Sequence, residues 1–182
     1  MSNTKWVIDP THSEIGFKIK HLMITNVSGK FNDFEAEVQT EGEDFTTAQI
    51  EARIKTASIN TSNLQRDEHL RNSDFFETET HPEILFFSTE VEKIDNDNFV
   101  VHGNLTLKGT TKSVKLSVEY SGVTKDPWGG QRAGFAITGK ISRSEFGLNF
   151  NAALETGGLV LSEEVKINAE VQLVKQVASV AA

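Results

Sequence analysis

Cysteine does not occur among the 182 residues. Disulfides, thiolate nucleophiles and thiolate metal sites are therefore excluded, and a reducing compartment is compatible with the chain. Basic residues are in deficit, 18 Lys and Arg against 26 Asp and Glu, for a formal net charge of −8. No run of Lys or Arg offsets that deficit, which argues against nucleic acid and anionic membrane surfaces as partners. No apolar run approaches the ~20 residues of a membrane-spanning helix, and the polar opening Met1-Ser2-Asn3-Thr4-Lys5-Trp6 lacks the apolar stretch of a secretory signal. These absences predict a cytoplasmic protein without membrane insertion. Catalytic signatures are missing too. There is no Gly-x-Ser-x-Gly elbow, and Gly157-Gly158 is a lone pair that reads as a turn or bulge rather than a phosphate cradle. The five histidines, His12, His21, His69, His81 and His102, show neither the i,i+4 nor the i,i+2 spacing of a metal pair. No metal site, cofactor or catalytic residue is expected.

What the chain does have is alternation. Ala48, Ile50, Ala52 and Ile54 interleave with Gln49, Glu51, Arg53 and Lys55; Val165, Ile167, Ala169, Val171 and Leu173 interleave with Lys166, Asn168, Glu170 and Gln172. Side chains on a strand point to opposite faces with period two, so each such segment is a strand with one apolar and one wet side. The pattern predicts strands over 6–9, 14–20, 27–39, 48–55, 85–92, 99–107, 114–120, 135–141 and 165–173. Short polar turns join them, among them Asp95-Asn96-Asp97-Asn98, Lys108-Gly109-Thr110-Thr111 and Asp126-Pro127-Trp128-Gly129-Gly130. Strands so joined form an antiparallel meander, and about eight of them can close into an up-and-down barrel without edges. An open sandwich is the second choice. Lys18, Lys20, Glu51, Arg53, Lys55, Lys115 and Glu119 on the wet faces are too long and charged for a narrow lumen, so the apolar faces point inward. The fold class is thus all-β, one domain over 1–182 with its core over about 5–174 and a loose apolar tail.

Aromatic composition is lopsided, with 12 Phe against one Tyr and two Trp. Phe buries a large area without a polar tip, which suits either a packed core or an apolar cavity. Wall candidates on the inward faces are Phe17, Ile19, Ile50, Ala52, Ile54, Leu105, Leu107, Leu116, Val118, Phe135, Ile137, Ile167 and Val171. The continuous run Ile84-Leu85-Phe86-Phe87 has no alternation and defeats assignment to a face.

One segment is not strand-like. Residues 62–72 have few apolar positions, and Ser62 with Gln65 has the form of a capping box, which predicts a short helix across one barrel end. On such a helix Arg66 and His69, and Asp67 and Arg71, are close enough to pair. The group is either a solvated face with local ion pairs or a head-group site at the barrel mouth, with Arg66, His69 and His21 as donors. A planar guanidinium suits phosphate or carboxylate.

Several stretches together resemble the YceI-like family. They are Trp6-Val7-Ile8-Asp9-Pro10-Thr11-His12-Ser13, Gly29-Lys30-Phe31, Ser58-Ile59-Asn60-Thr61, Arg66-Asp67-Glu68-His69-Leu70-Arg71, Asp74-Phe75-Phe76 and His81-Pro82. The hairpin from Gly103 to Lys112, Arg143-Ser144-Glu145-Phe146-Gly147-Leu148 and the strand start Glu164-Val165 complete the set. The resemblance implies an extended lipocalin-like barrel whose tunnel binds a polyisoprenoid or similar amphiphilic lipid, with a homodimer as a common assembly. Members are often exported, and catalysis is not an established trait. Ser113 stands where members often have Pro, and Ser162-Glu163 where Gly-Asp is frequent; both departures are expected at turns. The expected function is lipid binding. The alternatives are a filled barrel acting as a scaffold, or an enzyme with Arg66, Asp67 and His69 around a small apolar substrate.

Overall fold

A computed structural model describes residues 3–151 and 160–177. The Gly157-Gly158 turn and the tail over 178–182 lie outside the described residues. Among the described residues eleven strands form one antiparallel sheet: β1 (Asn3–Ile8), β2 (Glu14–His21), β3 (Thr25–Phe31), β4 (Phe34–Glu41), β5 (Asp44–Lys55) and β6 (Ile59–Asn60), then β7 (Glu83–Lys93), β8 (Asn98–Leu107), β9 (Thr110–Lys125), β10 (Gln131–Ser142) and β11 (Leu161–Lys175). One helix, α1 (Leu64–Arg71), is inserted between β6 and β7.

The first six strands are halves of three bent staves. A 3-10 turn at Pro10–His12 separates β1 from β2, Asn32-Asp33 separates β3 from β4, and a 3-10 turn at Thr56–Ser58 separates β5 from β6. In the stave β1–β2 pairing passes from β4 to β3, and β11 lies along its other side, Ile8 opposite Leu173 and Glu14 opposite Glu170. Since β11 also pairs with β10, the sheet closes as an eight-stranded antiparallel barrel of lipocalin-like form. The predicted strand over 27–39 is therefore two strands. Its break is held by Asn32 N donating to Ser58 O (3.1 Å) and Lys55 N donating to Asp33 O (2.9 Å), bonds that no alternation pattern records.

The turn between β8 and β9 is shorter than the sequence suggests. Lys108 (φ 49°) and Gly109 (φ 76°) alone form it, both left-handed, as a two-residue hairpin turn matched to strand twist requires. Both family departures fall in strands rather than turns, Ser113 in β9 opposite Asn104 and Ser162-Glu163 in β11. The capping box does not form. Ser62 has φ 64°, and Asn63 is the N-cap, its side-chain oxygen accepting from Arg66 N at 2.9 Å. Asn outranks a box one residue earlier because the helix starts where a side chain reaches the first free N–H groups.

One barrel end is sealed. Trp6, fully buried, donates from Nε1 to Thr40 Oγ1 (3.0 Å), and Phe45 packs on it with ring centroids 5.0 Å apart. Tyr120 stacks on Phe135 at 5.2 Å, and Phe45 meets Phe135 edge-on at 5.0 Å. Near this end Asp9 clamps the barrel seam. It accepts from Thr11 Oγ1 (2.7 Å), Thr11 N (2.9 Å) and Arg132 Nη1 (2.6 Å), with His12 Nδ1 at 2.8 Å, and Arg132 also reaches Gln172 and Asp126. The Thr11 hydroxyl, against an opposing desolvation, holds the Asp9 carboxyl far below the ordinary carboxylate range, with His12 and Arg132 adding to the effect. A depressed folded pKa stabilises the fold fully above the unfolded value near 4, and that stability is lost as pH falls below it. Asp9→Asn should cost about 2 kcal/mol at neutral pH and lose less than wild type between about pH 4 and pH 2, measured by urea unfolding across that range.

Candidate functional site

The barrel is hollow. Its interior holds a cavity of about 540 Å³, and every wall candidate from the alternation pattern lines it. The inward faces of β2, β5, β8, β9, β10 and β11 therefore converge on one space. Cross-strand register settles the run that the sequence left open: Ile84 lies opposite Ile54 and Phe86 opposite Ala52. Ile84 and Phe86 point inward and are buried, whereas Phe87 on the other face is 40% exposed. The Phe86 ring lies over Gly103 of β8, where an added Cβ would come within 2.6 Å of the Phe87 carbonyl oxygen. Glycine there lets an aromatic lie flat on the wall.

Phe45 and Phe135 form the floor, backed by Trp6 and Tyr120. Polar lining residues gather at the opposite end, where Arg66, His69, His21, Thr61 and Arg143 meet Phe75, Phe150, Val160 and Leu161. The head-group candidates Arg66, His69 and His21 thus all lie on the cavity lining, at its mouth. They do so through tertiary bonds rather than the helix pairs predicted. Arg66 donates from Nε to Thr61 Oγ1 and from Nη2 to Thr61 O, both at 2.7 Å. Asp67, buried, accepts from Thr61 N (2.9 Å) and the Thr61 hydroxyl, so it does not pair with Arg71. Arg71 donates from Nε to Ala57 O at 2.9 Å instead. His69 Nε2 sits 2.9 Å from Asp74 Oδ2, and its ring stands edge-on to Phe75 and Phe150. Capping and docking of so short a helix outweigh its weak surface pairs.

Sequence reasoning missed Arg143. It is 4% exposed and lines the cavity, and among the described residues it forms no ion pair. Its guanidinium donates to the carbonyls of Leu148 (2.7 Å), Phe150 (2.8 Å) and Ser162 (2.9 Å), and burial pulls its pKa below the ordinary arginine value. The only sequence signal was its place in Arg143-Ser144-Glu145-Phe146-Gly147-Leu148, between two strands. Phe31, Phe75 and Phe76, also on the lining, stood in the stretches that carry the family resemblance without being assigned to the wall, and Phe150 was visible only as part of the Phe excess.

The arrangement is chemically simple. An apolar chain fits the lumen, and guanidinium and imidazole groups at one end suit a head that accepts hydrogen bonds or carries negative charge. Asp67 accepts from Thr61 and His69 stands against Asp74, so the two are not hydrogen-bonded to each other. Among the described residues no group of three or more His, Asp or Glu is placed to hold a metal ion, and no helix is long and apolar enough to cross a membrane.

Known proteins share this sequence and shape. A UPF0312 protein of Staphylococcus epidermidis is 44% identical over 170 residues, covering 93% of this chain and 96% of that protein. One from Staphylococcus aureus strain USA300 is 41% identical over the same length and coverage. The crystal structure of a Campylobacter jejuni YCEI protein superposes with a TM-score of 0.76 at 37% identity, covering 93% of this chain and 96% of the other. A polyisoprenoid-binding domain from Saccharophagus degradans shares the fold, with a TM-score of 0.71 at 15% identity and coverage of 94% and 98%. The YceI-like domain matches residues 6–173, and with relatives this similar over nearly their whole length, the chain belongs to the YceI-like family.

Proposed function

We propose that the barrel binds and carries one amphiphilic lipid of isoprenoid type, its chain along the lumen and its head between Arg66, His69, His21 and Arg143. The observation that carries this reading is a cavity of about 540 Å³ that is apolar along its length and cationic at one end only. Such a volume admits roughly 15–20 carbon-sized groups at about 30 Å³ each, the share of a water in the liquid. Burying even ten of them at about 0.8 kcal/mol gives about 8 kcal/mol before ordering costs, the scale of micromolar binding. Kinship in shape with a polyisoprenoid-binding domain supports the same class. A filled scaffold is disfavoured by the open lumen.

The reading is tested by purifying the protein under mild conditions, extracting it with organic solvent and analysing the extract by mass spectrometry. A stoichiometric prenyl or acyl species is expected. An empty extract, together with no uptake of added farnesyl or geranylgeranyl lipid, would leave only the scaffold.

Two substitutions probe the lumen. Phe135→Asp places a carboxylate on the floor and should abolish uptake. Because Phe135 also packs on Phe45 and Tyr120, Ala52→Trp is the companion: it fills part of the lumen from the wall and should weaken binding at least tenfold while circular dichroism stays native. Folded protein with wild-type uptake in both variants contradicts the wall assignment. At the mouth, Arg66→Ala should reduce affinity for a prenyl phosphate about tenfold and leave affinity for the matching alcohol nearly unchanged, since a charge-assisted bond to an anion contributes about 1.5–3 kcal/mol. Fluorescence competition with the two ligands reads the difference.

A further inference from the structure

The mouth end carries two features that lipid binding in the lumen does not use. The first is the tip of the β2–β3 hairpin. Leu22 (φ 54°) and Met23 (φ 60°) are consecutive left-handed residues, closed by Ile24 N donating to His21 O at 3.2 Å. A turn of this type ordinarily takes Asn-Gly. Here it takes two long apolar side chains followed by a third, and Met23 is 58% and Ile24 79% exposed. Nothing in folding asks for this. The tip is joined to the cavity rim, because Leu22 N donates to Val160 O at 2.8 Å and Val160 lines the lumen.

The second feature is a row of lysines on the outer wall beside that tip. Lys140, Lys166 and Lys18 stand directly opposite one another on β10, β11 and β2. Lys115 extends the row by one strand, a rung beyond the Leu116–Gly139 pair, and Lys20 follows Lys18 on the same face towards the tip. Like charges directly opposite on neighbouring strands destabilise a sheet. Nearby acids only partly offset them: Glu164 lies 3.9 Å from Lys140, and Glu163 is occupied with the Ser142 hydroxyl and Ser144 N. In a chain of net charge −8 this is a basic patch assembled by register from distant segments. It reverses, locally, the expectation against anionic membrane surfaces that the lack of any run of Lys or Arg supported.

We infer that the mouth end docks on an anionic lipid bilayer surface, with the 22–24 tip entering the interface and the lysine row resting on the head groups. Charge complementarity selects the occupant, and the geometry agrees. Interfacial apolar groups bury about 5–10 Å deep. Lys20 and Lys18 stand two and four residues from Leu22, about 7 and 13 Å along the strand, which brings their ammonium groups to head-group level. The sealed end also exposes apolar side chains, Trp128 at 83% and Ile94 at 57%, but the exposed carboxylates of Asp95 and Asp97 follow Ile94 directly and disfavour an anionic surface there. Docking at the mouth lets a lipid pass between bilayer and lumen without crossing water.

The test is flotation of the full protein with phosphatidylcholine vesicles, with and without phosphatidylglycerol, at low and high salt. Wild type should float with the phosphatidylglycerol vesicles and be released by salt. Each of Lys18→Ala, Lys166→Ala and Lys140→Ala should lower the partition coefficient about fivefold, and the double change Met23→Ser with Ile24→Ser should remove binding. Lys166→Glu breaks up the like-charge row, so its melting temperature should rise while flotation is lost, which separates docking from folding. In Ile24→Trp, a blue shift on vesicle addition marks the tip as inserted; a shift of Trp128 in the wild type instead would place the wrong end on the bilayer. Failure of wild type to bind at low salt, equal binding to neutral vesicles, or wild-type flotation of the lysine and tip variants overturns the inference. Uptake of farnesyl lipid from detergent micelles, measured in parallel, keeps the two readings apart: docking variants should retain uptake, and lumen variants should retain flotation.

Discussion

The seam where β11 meets the bent stave β1–β2 is the constraint on which the rest of the molecule depends. A sheet with that seam open has two free edges and no lumen. Closure needs β11 to pair with β1 at one end and β2 at the other, and three extra residues of the stave must be accommodated between. The Pro10–His12 turn does so, and the Asp9 carboxylate holds the turn to Arg132 on β10, which in turn reaches Gln172 on β11. Backbone ladders on both sides and a charge network across the joint therefore act at one place.

Closure with eight staves sets the width of the interior, enough for side chains to fill or for one small ligand. The hollow outcome comes from where the large side chains go. At the sealed end Trp6, Phe45, Tyr120 and Phe135 pack on one another rather than reaching along the axis, and at mid-barrel Phe86 lies flat on Gly103. The lining forgoes the contacts a packed core would make, so a bound chain that replaces them stabilises the folded state by mass action. Stability and ligand occupancy are thus linked in this architecture.

Charge is distributed against the average. The chain is acidic overall, yet the inner rim carries Arg66, Arg143 and two histidines, and the outer wall beside it carries the opposed lysines of β2, β10 and β11. Three carboxylates near the mouth are engaged: Asp67 by Thr61, Glu163 by Ser142 and Ser144, Asp74 by His69. One end of the barrel is electrostatically distinct from the other, and the opening of the lumen lies at that end.

Period-two alternation made the strand set, the inward faces and the meander legible from the chain alone, because a strand's side-chain direction is a local property. That is why alternation alone puts Phe17, Ile50, Leu116 and Ile167 on a common interior. The same locality explains the errors. Alternation changes phase at Asn32-Asp33, from Val27, Gly29 and Phe31 to Phe34, Ala36 and Val38, a slip that a single strand over 27–39 passes over; the apolar run at 84–87 has no phase until Ala52 and Ile54 supply one; and Asn63 competes with Ser62 as a cap only through the chain's path out of β6. Arg143 reads as an ordinary charged residue until three carbonyls surround it. By itself the sequence determined the strands, their buried sides and the absence of catalytic motifs, since each follows from neighbours along the chain. Only the tertiary structure decided the hollow lumen, its cationic mouth and the lysine row, because these depend on register between segments that are distant in sequence.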